Sequence, residues 1–108
     1  MSLLYDFNMD TADELAAHLS ENVKHRRLEK GLSRKALSMM SGVPVPTIAK
    51  FERQHNISLI GFIALAKALG YTDALTSLLA EPIYSTMEEL DTINRNKNRK
   101  RGRNEFHQ

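Results

Sequence analysis

The 108-residue chain has the length of about one domain, and its lack of cysteine excludes disulfides, thiolate metal sites and cysteine nucleophiles. Its net charge of +2 conceals a sharp division along the sequence. Acidic residues dominate 1–23 and 54–94, whereas 24–53 hold eight Lys and Arg against two Glu, and 95–108 hold six against one. Two basic blocks of this kind are typical of a protein that binds a polyanion.

Apolar residues recur at helical spacing nearly throughout the chain, which predicts an all-α fold. Capping residues and glycines define the expected ends of the helices. The predicted helices cover about 12–30, 34–41, 45–53, 58–69, 73–81 and 86–93.

Two of these helices carry apolar residues that we assign to the core. The first has Leu15, Leu19 and Val23 at successive i+4 positions, which predicts a buried face. The second has Ala36, Leu37 and Met40 on one face, and we interpret Met39 and Met40 as core-filling side chains.

The second and third helices are short and are separated by a tight turn. Gly42 supplies the residue without a Cβ that such a turn needs, and Val43 and Ile48 are expected to face inward. This arrangement predicts a helix-turn-helix, in which the second short helix enters the major groove of DNA.

The residues that carry this pattern are 32–37, Gly42-Val43 and 47–52. Together they closely resemble the Cro/phage-repressor (XRE) helix-turn-helix family, over about residues 15–79. The resemblance implies a five-helix, lambda-repressor-like domain in which Arg27 pairs with Glu52. It also implies operator DNA as the ligand.

Carried over position by position, the resemblance assigns four side chains of the third helix to base edges: Val45, Pro46, Ala49 and Lys50. Of these, Lys50 is the best candidate for a guanine contact. One departure is Pro44, which stands where the family usually has a Ser or Thr cap. Further residues are expected to contact phosphate. The full set of expected DNA-binding residues is Arg34, Lys35, Val45, Pro46, Thr47, Ala49, Lys50, Arg53, His55, Arg99, Lys100, Arg101 and Arg103.

The expected organisation is an N-terminal extension (1–10), a helix-turn-helix domain (11–82), a short C-terminal helix (83–94) and a disordered basic tail (95–108). Residues 44–52, residues 57–59 and the C-terminal stretch 84–103 also resemble HipB-type antitoxins. That resemblance implies a cytoplasmic, nucleoid-associated autorepressor that binds a HipA-like serine/threonine kinase toxin. We expect no enzyme activity, no cofactor and no metal.

Three functions stay open at this point. The first is the antitoxin, which would bind an inverted-repeat operator as a homodimer through residues 75–84. The second is a stand-alone repressor. The third is a protein-interaction adaptor without DNA binding, because Val45 and Pro46 are apolar where many relatives carry polar residues.

Overall fold

The computed structural model of the chain describes residues 10–100, and this part forms six α-helices and no strand. None of these helices is long and apolar enough to cross a membrane. The helices are α1 (Ala12–Glu29), α2 (Arg34–Ser41), α3 (Val45–Gln54), α4 (Leu59–Ala68), α5 (Thr72–Ser77) and α6 (Met87–Asn96).

Capping side chains begin most of these helices, because the first N–H groups of a helix lack intrahelical partners. Thr11 and Glu14 form a reciprocal capping box at the start of α1. The Ser33 and Ser58 hydroxyls accept from backbone N–H groups at the starts of α2 and α4. Gly42 ends α2 in the left-handed region, at φ 81°.

Two helices end elsewhere than the sequence predicts. α5 ends at Ser77, well before Pro82, because Leu79 adopts a left-handed backbone (φ 62°) that a right-handed helix does not tolerate. α6 continues past Ile93 to Asn96, whose side-chain amide donates to the Thr92 carbonyl at 2.9 Å. The segment expected to be a disordered tail therefore begins within a helix.

The chain divides into two units, Met1–Thr76 and Ser77–Gln108. In the first unit, α1 packs on α3, and α2 packs on both α3 and α4. Phe51 and Phe62 meet edge to face with ring centroids 6.1 Å apart. The buried core of this unit consists of Val23, Leu37, Val43, Ile48, Phe51, Leu65 and Leu69.

The predicted core faces of α1 and α2 are partly wrong. Leu15 and Leu19 are each 48% exposed, although Val23 is buried as predicted. Met39 and Met40 are 79% and 53% exposed and do not fill the core. The spacing identified the helices correctly, but it did not identify which side of each helix meets the rest of the unit.

The second unit, described from Ser77 to residue 100, contains α6 and no buried residue. Thr86 caps α6 by accepting from the Glu89 N–H at 3.0 Å. The Ser85 backbone and hydroxyl both donate to the Glu89 carboxylate, and these hydrogen bonds lower the pKa of Glu89. Local hydrogen bonds therefore define where this helix begins.

Candidate nucleic-acid interface

The turn between α2 and α3 fixes the angle between these two helices. The Val43 N–H donates to the Ser41 hydroxyl at 3.1 Å, and Val43 is buried. Ile48, one turn into α3, is completely buried. Both apolar side chains point inward, as the sequence predicts.

The opposite side of α3 faces solvent and carries the predicted base-facing residues. Of these, Pro46 and Lys50 are exposed, and Val45 and Ala49 beside them are half-buried. Arg53, a predicted phosphate contact, is also exposed. Because residues four apart lie above one another on a helix, Pro46 and Lys50 form one row and Val45 and Ala49 the next. The exposed face of α3 is therefore both apolar and cationic, and the major groove of DNA is wide enough to admit an α-helix.

Pro44 stands at the start of α3 with extended backbone (φ −60°, ψ 146°) and provides no side-chain cap. Its carbonyl accepts from the N–H groups of Thr47 and Ile48 at 3.0 and 3.1 Å. The structure therefore shows the consequence of this departure from the family pattern: among residues 10–100, no side chain caps the first turn of α3.

A buried carboxylate, that of Glu52, holds α3 in place. The Arg27 Nε donates to Glu52 Oε2 at 2.8 Å and its Nη2 donates to Oε1 at 3.1 Å, so the pair is bidentate. The Arg27 Nη1 also donates to the Leu32 carbonyl at 2.8 Å. The Arg27 and Glu52 side chains are 7% and 1% exposed, so the structure brings together the two residues that the resemblance pairs.

Arg34 is a third member of this cluster, which the sequence did not indicate. Its Nε donates to Glu52 Oε1 at 2.9 Å from the first turn of α2, while its side chain is 39% exposed. A guanidinium has five N–H donors, and Glu52 occupies one of them. Arg34 can therefore stay bound to Glu52 and still reach a ligand at the surface.

The two arginines also determine the ionisation of Glu52. Burial raises the pKa of this carboxyl, but hydrogen bonds from Arg27 and Arg34 and their positive charges lower it by more. The net pKa lies below the ordinary glutamate value, so Glu52 stays charged at neutral pH.

Ser20 is a buried polar residue that the sequence analysis did not identify. It is 1% exposed, and its hydroxyl donates to the Phe51 carbonyl at 2.7 Å, which joins α1 to the last full turn of α3. Ser20, Val23 and Arg27 are spaced i, i+3 and i+7, so the true inner face of α1 has helical periodicity. Two of its three members are polar, which hid the pattern.

A shallow depression lies beside the exposed face of α3. Its walls are Pro46, Thr47 and Lys50 on α3 and residues 56–58, which lead into α4. The sequence analysis did not single out Asn56, which the structure shows to be exposed. The usable signal was a polar residue in the loop directly after the third helix.

The remaining predicted residues are placed as follows. Lys35 is exposed near the start of α2. His55 ends α3 at φ 63° and is half-buried, with its Nδ1 enclosed and unbonded, so only its Nε2 side is available to a phosphate. Arg99 and Lys100 are exposed in the second unit. Arg101 and Arg103 lie outside the described residues.

Comparison with known families agrees with this geometry. Residues 23–75 match a family model described as helix-turn-helix, and the match runs from the middle of α1 into α5. No curated protein and no solved structure matches the chain significantly. The matched segment, 53 of the 108 residues, is therefore similar to a helix-turn-helix domain. Such a domain suggests a DNA-binding transcription regulator, a class that is typically not enzymatic.

Proposed function

We propose that this chain is a sequence-specific DNA-binding antitoxin that represses its own operon and binds a HipA-like serine/threonine kinase toxin. One observation carries the DNA-binding part. The exposed face of α3 holds Pro46 and Lys50 on a helix whose opposite face is anchored by the buried Glu52. A rigid helix with a solvent-facing row of this kind fits the major groove.

In this proposal α3 lies in the major groove and Lys50 donates to the O6 and N7 acceptors of a guanine. Val45 and Pro46 make apolar contacts with thymine methyl groups, and sequence-dependent DNA shape supplies further selectivity. The readout is therefore less polar than that of a recognition helix rich in Gln and Arg.

Phosphate contacts surround this row. Arg34, Lys35, Thr47 and Arg53 are at least partly exposed around α2 and α3, where they can meet the DNA backbone. These contacts position the protein without specifying sequence. Arg99, Lys100, Arg101 and Arg103 add a second cationic group that increases affinity in a salt-dependent way.

A homodimer on an inverted repeat follows from the short reach of one recognition helix, which reads only a few base pairs. The segment 75–84 supports a self-association surface because its large apolar side chains are open to solvent. Leu78, Leu79 and Ile83 are 67%, 92% and 92% exposed, and Tyr84 is 47% exposed. Exposed apolar residues in such density are typical of a contact surface.

The antitoxin assignment is tested by affinity purification of the full chain from its native cells under mild salt. Recovery of a serine/threonine kinase with the chain supports the antitoxin. If the chain is recovered alone and still binds DNA, the antitoxin assignment is contradicted and the stand-alone repressor is favoured.

The DNA-binding assignment is tested by selection from a random duplex library at near-physiological ionic strength. We expect an enriched inverted repeat, and we expect Lys50→Ala to lose discrimination at one base by roughly 1–3 kcal/mol while the rest of the site is kept. Lys67→Ala, an exposed lysine at the end of α4, is the matched control and should select the same site.

An unenriched library from the full chain would contradict the repressor. It would favour the adaptor without DNA binding, which is supported by the apolar Val45 and Pro46 in base-facing positions. The exposed Met39 and Met40 would then be the first surface to examine for a protein partner.

A further inference from the structure

The shallow depression beside α3 contains three polar side chains that have no protein partner. Thr47 and Lys50 line it from α3, and Asn56 lines it from the loop that follows. Within residues 10–100, no hydrogen bond or ion pair involves any of these three side chains. All three are therefore available to a ligand from outside the chain.

The loop that carries Asn56 is anchored on both sides. The His55 N–H donates to the Phe51 carbonyl at 2.8 Å, which ties the loop to the end of α3. Ile57 packs against the buried core, and the Ser58 hydroxyl caps the start of α4. Because the backbone is held on both sides, ordering the exposed Asn56 side chain on a ligand costs only its own rotamer freedom.

The chemistry of the depression suits an anion. It offers the Lys50 ammonium, the Thr47 hydroxyl and the Asn56 amide, and no carboxylate of the described chain lines it. α4 begins at Leu59, directly after the residues of one wall, so the positive end of its helix dipole adds to the positive potential. A cation would meet repulsion from both sources.

The place of Thr47 on α3 indicates which anion is within reach. With about 100° between successive residues of a helix, Thr47 lies beside the row of Pro46 and Lys50, on the side away from Val45 and Ala49. A helix whose central rows meet base edges turns its flank towards the phosphates that border the major groove. The depression lies on this flank, so the anion is a phosphate of the DNA backbone.

We propose that Asn56 and Thr47 together hold one backbone phosphate, with Asn56 Nδ2 donating to one of its oxygens and Thr47 Oγ1 to another. Lys50 lines the depression and also belongs to the base-facing row, so this phosphate flanks the base pair that Lys50 reads. The inference rests on the proposed DNA binding and deepens it. It adds Asn56 as a residue that sets the register of α3 in the groove.

The contact is tested on the selected operator by replacing each backbone phosphate in turn with an uncharged methylphosphonate. Fluorescence anisotropy measures the affinity of the full chain. Asn56→Ala should bind the unmodified operator about tenfold more weakly than the wild type. At one phosphate, next to the base pair where Lys50→Ala loses discrimination, the methylphosphonate should weaken the wild type but not Asn56→Ala. A folding defect would weaken binding without removing the sensitivity at a single phosphate.

Two further variants and a control make this contact specific. Thr47→Val keeps the β-branched shape without the hydroxyl, and it should lose sensitivity at the same phosphate. Asn56→Asp places a carboxylate beside the phosphate and should bind more weakly than Asn56→Ala. Asn22→Ala, which changes an exposed asparagine on α1 outside the depression, is the matched control and should keep the wild-type profile.

Wild-type affinity and an unchanged methylphosphonate profile in Asn56→Ala would overturn this inference and leave the proposed function intact. A changed base preference in the operator selected by Asn56→Ala would overturn it as well, because Asn56 would then read a base edge. If the wild type selects no operator, the proposed function fails instead. The phosphate contact is then measured on a duplex of arbitrary sequence, where Asn56→Ala should still bind about tenfold more weakly and equal affinities would overturn the contact.

Discussion

At the scale of single residues, Glu52 joins three helices. Its carboxylate accepts from Arg27 on α1 and from Arg34 on α2 while it belongs to α3. Glu52→Gln leaves a similar shape but removes the charge that balances two arginines, one of them buried. We expect a loss of about 3 kcal/mol in the free energy of unfolding, measured by urea denaturation at neutral pH.

Ser20→Ala is the matched control, because it also removes a buried bond between α1 and α3. The Phe51 carbonyl that it leaves still accepts from the His55 N–H at 2.8 Å, so the expected loss is only about 1 kcal/mol. Equal losses for the two variants would show that the charge of Glu52 adds no more to the free energy of unfolding than one neutral buried hydrogen bond does.

The same carboxylate makes stability depend on pH. Because the pKa of Glu52 is lowered in the folded chain, its contribution is complete above the ordinary glutamate value of about 4.3 and is lost as pH falls through the folded value. Urea titrations at successive acidic pH values should therefore give a steeper decline for the wild type than for Glu52→Gln. Parallel curves would contradict the assignment.

What the sequence could predict at this scale depended on the resemblance. It supplied the Arg27–Glu52 pair, because both residue types stand at the family's positions. It could not supply Arg34 or Ser20 as partners, because their roles depend on where α1 and α2 meet α3 in space. Polar residues enter a core only when a particular partner is within reach, and spacing alone does not identify that partner.

At the scale of the element, Gly42 is the critical residue of the turn between α2 and α3. Its φ of 81° is strained for other residues, while a Cβ added there would meet nothing within 4 Å. Gly42→Ala should therefore cost roughly 1–2 kcal/mol through backbone conformation alone, measured by urea denaturation.

Gly42→Asn is the informative companion, since asparagine tolerates the left-handed region better than alanine. We expect it to lose clearly less stability than Gly42→Ala. If the larger asparagine is the worse of the two, space rather than φ limits this position.

The ends of helices were more predictable than their faces, for a physical reason. Thr11, Ser33 and Ser58 cap through bonds to residues three positions on, so the signal is local and visible in sequence. The exposure of Leu15 or Met39 depends on distant elements. The early end of α5 is also a local feature, because it follows from the left-handed backbone at Leu79. It was nevertheless not predictable, since no glycine marks this position in the sequence.

At the scale of the whole molecule, charge segregation matters more than the small net charge. If the cations of 95–108 contact phosphate, they should make operator affinity steeply salt-dependent. Replacing Arg99, Lys100, Arg101 and Arg103 with Gln should reduce the slope of log affinity against log salt by about one for each lost phosphate contact.

The selected operator should stay the same in this variant, because phosphate contacts carry no sequence information. Fluorescence anisotropy across a salt series measures the slope. An unchanged slope would show that the C-terminal cations do not contact DNA. Their charge would then have to serve another partner.

In the proposed function Arg34 contacts both DNA and Glu52, and this double role would limit how the chain can diverge. A substitution there changes both a surface cation and a ligand of the buried Glu52, so a new DNA preference gained at Arg34 carries a loss of stability. Within residues 10–100, no side-chain hydrogen bond or ion pair involves Val45, Pro46, Ala49 or Lys50. New operator preferences are therefore most accessible through these four positions, while Arg34 is retained.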